Sequence, residues 1–192
     1  MARWEPGARE RLVLAAADLF AEQGYDATTV AEIAERAGVT RSTFFRHFSD
    51  KREVLVAGQE TLGRLFTEGI AEAPAGATPL EAVAAGLRHA SLAMGPFNRE
   101  LAPRLKAAVS ASAELQERDA LKSVGLSAAM TDALRARGVP DLVAQLAGEL
   151  GVLAFKRGFA QWSVGDRDDG EALAQLTLAA LDELRAAGAT LS

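Results

Sequence analysis

The sequence predicts an all-α protein, and three observations carry that expectation. Alanine, the strongest helix former, supplies 41 of the 192 residues. Clusters of β-branched or aromatic residues alternating at period two, the mark of a half-buried strand, are missing. Glycine, proline and Asx residues cut the chain into segments of about 8 to 24 residues, most with an apolar repeat of about 3.6.

The first helix is expected over residues 8–23, with Leu12, Val13, Ala16, Leu19 and Phe20 on one face and Gly24 as its stop. A short second helix over 30–37 has Thr29 as N-cap and Glu32 three residues on, the spacing of a capping box. Its buried stripe is Val30, Ile33, Ala34 and Ala37, and Gly38 ends it. Thr40 caps a third helix over 41–48, in which Phe44 and Phe48 lie one turn apart and read as core. A fourth starts after Asp50, with Glu53 closing another capping box, and runs to about residue 72. Residues 73–79, containing Pro74, Gly76 and Pro79, form the clearest linker. Beyond it, helices are expected near 79–94, 97–116, 119–137, 141–164 and 169–187.

Composition narrows the function. The 21 basic and 26 acidic side chains give a net charge of −5, an ordinary globular balance that argues against a protein coating nucleic acid over its whole surface. The deficit is uneven: residues 1–52 hold 8 basic and 8 acidic groups, whereas residues 53–192 hold 13 and 18. The absence of cysteine excludes a disulfide scaffold, thiolate zinc ligation and a thiol nucleophile. The first residues show no apolar run behind a basic start, and no stretch reaches about 18 uninterrupted apolar residues. The expectation is therefore a cytoplasmic protein without a membrane partner.

Two short helices joined by Gly38-Val39-Thr40 have the form of a helix-turn-helix, whose second helix enters the major groove of DNA. Arg41 and Lys51 both sit in the first turn of a helix, where the positive end of the macrodipole disfavours a cation. A polyanion in front of those helix ends resolves the conflict. Between Val39 and Arg52 the charges are Arg41, Arg46, Lys51 and Arg52 against Asp50, a local +3. Thr40, Ser42, Thr43 and His47 add short donors suited to phosphate oxygens and base edges.

The run from Leu14 to Val30, followed by Ile33-Ala34, Ala37-Gly38-Val39-Thr40, Thr43-Phe44-Phe45-Arg46-His47-Phe48 and Lys51, resembles the N-terminal domain of TetR-type (TetR/AcrR) transcriptional repressors. The resemblance covers residues 9–55. It implies a three-helix helix-turn-helix DNA-binding domain over 1–52 and a larger helical effector-binding and dimerisation domain over 53–192. It also implies that Thr29, Thr43, His47 and Lys51 grip phosphates and that Thr40, Arg41 and Ser42 read bases. A bidentate Arg41–guanine contact would be worth about 1–3 kcal/mol of discrimination. The family commonly has tyrosine where this chain has Phe45; a phenyl ring cannot donate to phosphate, which leaves sugar or a thymine methyl as its contact. Arg46 is a candidate for the missing backbone contact. Plainer readings stand beside these: His47 as a partly buried helix-end residue, Arg52 as a solvated charge, and Arg3, Arg9 and Arg11 as either a basic arm or a solvated face.

For the larger domain the resemblance implies that the last two helices dimerise. The apolar stripes available are Leu142, Leu146, Leu150 and Leu153, and Leu173, Leu176, Ala180 and Leu184; the alternative is that both are core. An effector pocket is expected to draw on His89, Met94, Phe97, Met130, Phe155 and Trp162, whose chemistry suits an apolar or aromatic small molecule, again with plain core as the alternative. No phosphate-binding loop, metalloprotease motif or paired histidine arrangement is present, so neither an enzyme nor a cofactor is expected. The acidic loop from Asp166 to Glu171 lacks the glutamate an EF-hand requires, since Thr177 is its twelfth position. The expected function is a homodimeric regulator that binds a palindromic double-stranded DNA operator and is released by a small-molecule effector. A helical protein-interaction module and a ligand-responsive activator remain the alternatives.

Overall fold

The computed structural model describes residues 7–56 and 58–190, which form ten helices and no strand. Arg3 lies outside the described residues. Two compact units divide the chain, one of residues up to 58 together with 96–121, the other of 59–95 and the residues from 122 onward.

The first unit contains α1 (Ala8–Gln23), α2 (Val30–Arg36), α3 (Arg41–His47), α4 (Lys51–Val56), α7 (Pro96–Ala111) and the start of α8 (Ala113–Ala136). Its core is the apolar stripe of α1, with Leu12, Ala16 and Phe20 fully buried, closed by Ile33 from α2 and Phe44 from α3. Phe48, just after α3, and Ala108 and Leu115 complete it. Removing a phenylalanine side chain such as Phe44 from water contributes about 1.5–3 kcal/mol. Polar clamps fix the helices on that core. Arg36 makes a two-pronged ion pair with Glu22, at 2.8 and 2.9 Å. Arg11 Nε donates to the Ala37 carbonyl at the end of α2, and Arg104 of α7 pairs with Asp18 of α1.

The turn between α2 and α3 depends on Gly38, which sits at φ +65°. A side chain there would be strained in a left-handed conformation. The following Val39 N–H donates to the Ala34 carbonyl at 2.9 Å and closes the turn.

The second unit contains α5 (Gln59–Glu72), α6 (Pro79–Leu92), the remainder of α8, α9 (Asp141–Val164) and α10 (Gly170–Ala189). Its helices approach almost backbone to backbone. A Cβ on Gly158 of α9 would lie 2.6 Å from the Thr177 backbone nitrogen of α10, so only glycine permits that crossing. Between these crossings a row of aromatics fills the space. Phe66 meets Phe155 edge-on at 5.1 Å, Phe155 stacks on Phe159 at 5.7 Å, and Phe159 tilts against Trp162 at 5.5 Å. The Arg137 guanidinium donates to the carbonyls of Ile70, Ala73 and Pro74 and so caps the end of α5.

Two differences from the expected elements are informative. The single helix expected from residue 51 to 72 is two helices, with Gly58 at φ +93° between them. The break expected near 117–118 falls at Ser112, whose hydroxyl accepts from the Leu115 N–H. No described helix is long and apolar enough to cross a membrane.

Candidate nucleic-acid interface

The site is built by two N-caps. Thr29 accepts from the Glu32 N–H at 3.2 Å, while the Glu32 carboxylate accepts from the Thr29 N–H at 2.8 Å and from its hydroxyl at 2.7 Å. The Thr29 hydroxyl, then its backbone N–H, hold the Glu32 carboxyl below its ordinary range. Thr40 caps α3 by accepting from the Thr43 N–H at 3.1 Å, and the two threonine hydroxyls lie 3.0 Å apart. Arg46 Nη2 donates to the Thr43 hydroxyl at 3.4 Å. These bonds orient the first turn of α3 and leave its outer face to solvent.

That outer face consists of Arg41, Ser42, Phe45 and Arg46, all exposed, whereas Phe44 and Phe48 are buried as expected. Among the described residues no carboxylate pairs with Arg41, so a cation at a helix start is uncompensated by the protein itself. His47 is half-buried beside the Phe48 ring, and Arg9 lies over the same ring at 5.3 Å from its centre. Asp50 accepts from the Arg52 and Glu53 N–H groups at 2.7 and 3.0 Å, which is half of the box expected at the start of α4, while the Glu53 carboxylate accepts from the Ser49 N–H instead of that of Asp50.

Lys51 requires a correction. Its ammonium turns into the protein, donating to the carbonyls of Tyr25 at 2.7 Å, Thr28 at 2.9 Å and Asp26 at 3.2 Å, and it lies 4.3 Å from the centre of the Tyr25 ring. An ammonium has three N–H donors, and three carbonyls take them. Lys51 therefore clamps the α1–α2 turn instead of presenting a donor to phosphate. Sequence reasoning missed this clamp and its neighbours. Arg118 of α8 lies 5.6 Å from the centre of the same Tyr25 ring, and the buried Thr28 hydroxyl donates to the Gly24 carbonyl at 2.7 Å. The tyrosine hydroxyl is pushed above its ordinary range, chiefly by burial. No local spacing signals a contact between residues 25 and 118, which are distant in sequence.

The residues expected to line an effector pocket divide. Met130, Phe155 and Trp162 share one buried core, with Met94 packed against it. Phe97 packs instead in the core of the first unit, because α7 belongs there. His89 is half-buried between the Glu68 and Glu72 carboxylates, 3.7 Å from each, at the edge of the second unit rather than inside it. The expected dimer residues divide likewise. Leu142, Leu146 and Leu153 are 67%, 58% and 46% exposed along one face of α9. Leu173 and Ala180 are core, at 0% and 3%, with no surface to offer a partner subunit, while Leu150, Leu176 and Leu184 pack against that core partly buried.

Two short helices set by a glycine turn, with a carboxylate-free cationic face on the second, define a helix-turn-helix unit of the kind that docks on DNA. Residues 12–57 match the sequence model of "Bacterial regulatory proteins, tetR family". Over 80 residues, 42% of this chain, it is 40% identical to the HTH-type transcriptional regulator TcmR of Streptomyces glaucescens, of which the match covers 35%. Over 85 residues, 44% of this chain, it is 39% identical to the HTH-type transcriptional regulator BetI of Rhizobium meliloti (strain 1021), of which 42% is covered. The chain thus matches less than half the length of these curated relatives. A transcriptional regulator from Aquifex aeolicus VF5 superposes with a TM-score of 0.56 over 93% of this chain and 98% of that one, at 19% identity, a likeness of fold alone.

Proposed function

We propose that the protein is a cytoplasmic, homodimeric transcriptional repressor that binds a palindromic operator and is released from it by a small-molecule effector. The observation that carries this reading is the outer face of α3. Arg41, Ser42, Phe45 and Arg46 stand in solvent with no carboxylate among them, in a chain whose net charge is −5. A cationic face within an acidic protein orients it on DNA and limits sequence-independent adhesion elsewhere. Arg41, Ser42 and Thr40 lie at the start of the helix, where major-groove readers place their base contacts. Thr29, Thr43, Arg46 and His47 flank them toward the phosphates, a division between reading and positioning that such interfaces require.

The leucines exposed on α9 support a two-fold partner, because three large apolar side chains on one face gain from burial against a second copy. Two-fold symmetry would set two recognition helices on successive major grooves, about 10 base pairs apart. The effector is assigned to the second unit, near Met94, Met130, Phe155 and Trp162, and is apolar or aromatic in chemistry. It acts by preferring a conformer whose recognition helices no longer match that spacing. Driving occupancy from mostly bound to mostly free takes about 5 kcal/mol of differential affinity, and a ligand that binds both conformers equally shifts nothing. The test is selection of genomic fragments by the purified protein. Recovery of a few loci sharing a palindrome supports the reading, and a sequence-independent pool refutes it.

A further inference from the structure

The side chain of Phe45 has no place in the packing of its own unit. It is 52% exposed, whereas Phe44 and Phe48 on either side of it are at 0% and 2%. Its ring stands edge-on to the buried Phe44 ring, with centroids 5.4 Å apart and planes at 82°, so it is supported from beneath while its outer face meets water. Within α3 it lies one turn beyond Arg41 and Ser42, on the same outer face, with Arg46 next to it. A partner protein with an apolar patch would have to desolvate both guanidiniums to reach this ring. A polyanion would be drawn by them instead.

A phenyl ring offers neither donor nor acceptor to a base edge. Of the groups that the four base pairs expose in the major groove, one alone is apolar, the C5 methyl of thymine. We propose that Phe45 is a specificity-determining residue that reads a thymine in each operator half-site through that methyl. The proposal rests on the DNA-binding reading above and adds to it the identity of one base pair.

The test removes the methyl and nothing else. With an operator obtained by selection, each thymine of the half-site is replaced in turn by deoxyuridine, and affinity for the wild-type protein is measured by fluorescence anisotropy. One position per half-site is expected to weaken binding about fourfold, the equivalent of one buried methyl at about 0.8 kcal/mol, and about fifteenfold when both half-sites are changed. Phe45→Ala, checked for wild-type helix content, is expected to bind the thymine and deoxyuridine operators equally. Wild-type protein indifferent to deoxyuridine at every position overturns the proposal. So does a thymine preference that survives in Phe45→Ala, and a loss of affinity in that variant when the wild-type protein shows no methyl dependence assigns the ring to a sugar. Failure of the DNA-binding reading itself would be seen earlier, as a selection that yields no operator to substitute.

Discussion

Replacing Lys51 by methionine separates its two readings, since the substitution removes the ammonium and keeps most of the aliphatic stem. Nζ donates to the Tyr25 and Thr28 carbonyls at 2.7 and 2.9 Å, with a longer third bond at 3.2 Å to Asp26, and rests 4.3 Å from the Tyr25 ring centre. Hydrogen bonds to a charged group contribute about 1.5–3 kcal/mol each, and the half-buried setting favours the low end. A cation over a ring adds about 0.5–1 kcal/mol. Against this, removing a positive charge from the first turn of α4 relieves about 0.3–1 kcal/mol of unfavourable interaction with the helix dipole. Counting only the two shorter bonds at that low end, the net loss is about 2.5–3.5 kcal/mol, or about 5–14 °C in Tm for a chain of this length. Thermal unfolding followed by circular dichroism reads that shift, and operator binding over a salt series reads the other. The dependence of log affinity on log salt is expected to stay at the wild-type slope, because these donors do not face phosphate. An unchanged Tm together with a slope smaller by about 0.9 would return Lys51 to the phosphate contacts.

Two further substitutions separate interface from core in the second unit. Leu146→Glu, at an exposed position of α9, is expected to yield monomers by sedimentation at wild-type helix content, whereas Leu173→Ala costs about 2–5 kcal/mol of stability through the cavity it leaves. Dimers that persist in Leu146→Glu would remove α9 from the interface. Acidification tests the caps. The Glu32 and Glu81 carboxyls are held below their ordinary range by the Thr29 hydroxyl and the Thr78 N–H, respectively. Their contribution is complete above the unfolded-state value and is lost as pH falls through the lower folded-state value. A Glu32→Gln, Glu81→Gln variant should therefore lose less stability than the wild type when acidified below the ordinary glutamate range. Parallel acid profiles would show that these caps carry no pH dependence.

The first three helices were legible because local chemistry marks both of their ends. Thr29 and Glu32, Thr40, and the glycines at 24 and 38 are each a cap or a stop, and the observed helices fall within a residue of the expected ones. The fourth helix was less legible because Gly58 is an isolated glycine in an otherwise helical pattern. Arg41 stands out by residue type, since an arginine at a helix start with no carboxylate beside it is locally anomalous. Phe97 shows the opposite case. Its apolar character predicts burial but not which of two cores receives it, and that choice follows from α7 packing with α1 through contacts such as Arg104–Asp18. Leu173 and Leu142 illustrate the same limit in the second unit. Both sit on regular apolar stripes, and only the crossing of α9 and α10, drawn tight at Gly158 and Thr177, decides that one faces inward and the other out. Lys51 is a third case, where a cation suited to phosphate is captured by carbonyls more than twenty residues earlier in the chain.

The outer face of α3, led by Arg41, is expected to read DNA sequence. The most direct measurement is selection from a randomised duplex library by the wild-type protein and Arg41→Ala in parallel. A palindromic consensus is expected for the wild type, and for the variant the same consensus relaxed at one guanine in each half-site, a loss of about 1–3 kcal/mol of discrimination there. An unaltered consensus in Arg41→Ala, or none for the wild type, would contradict that expectation.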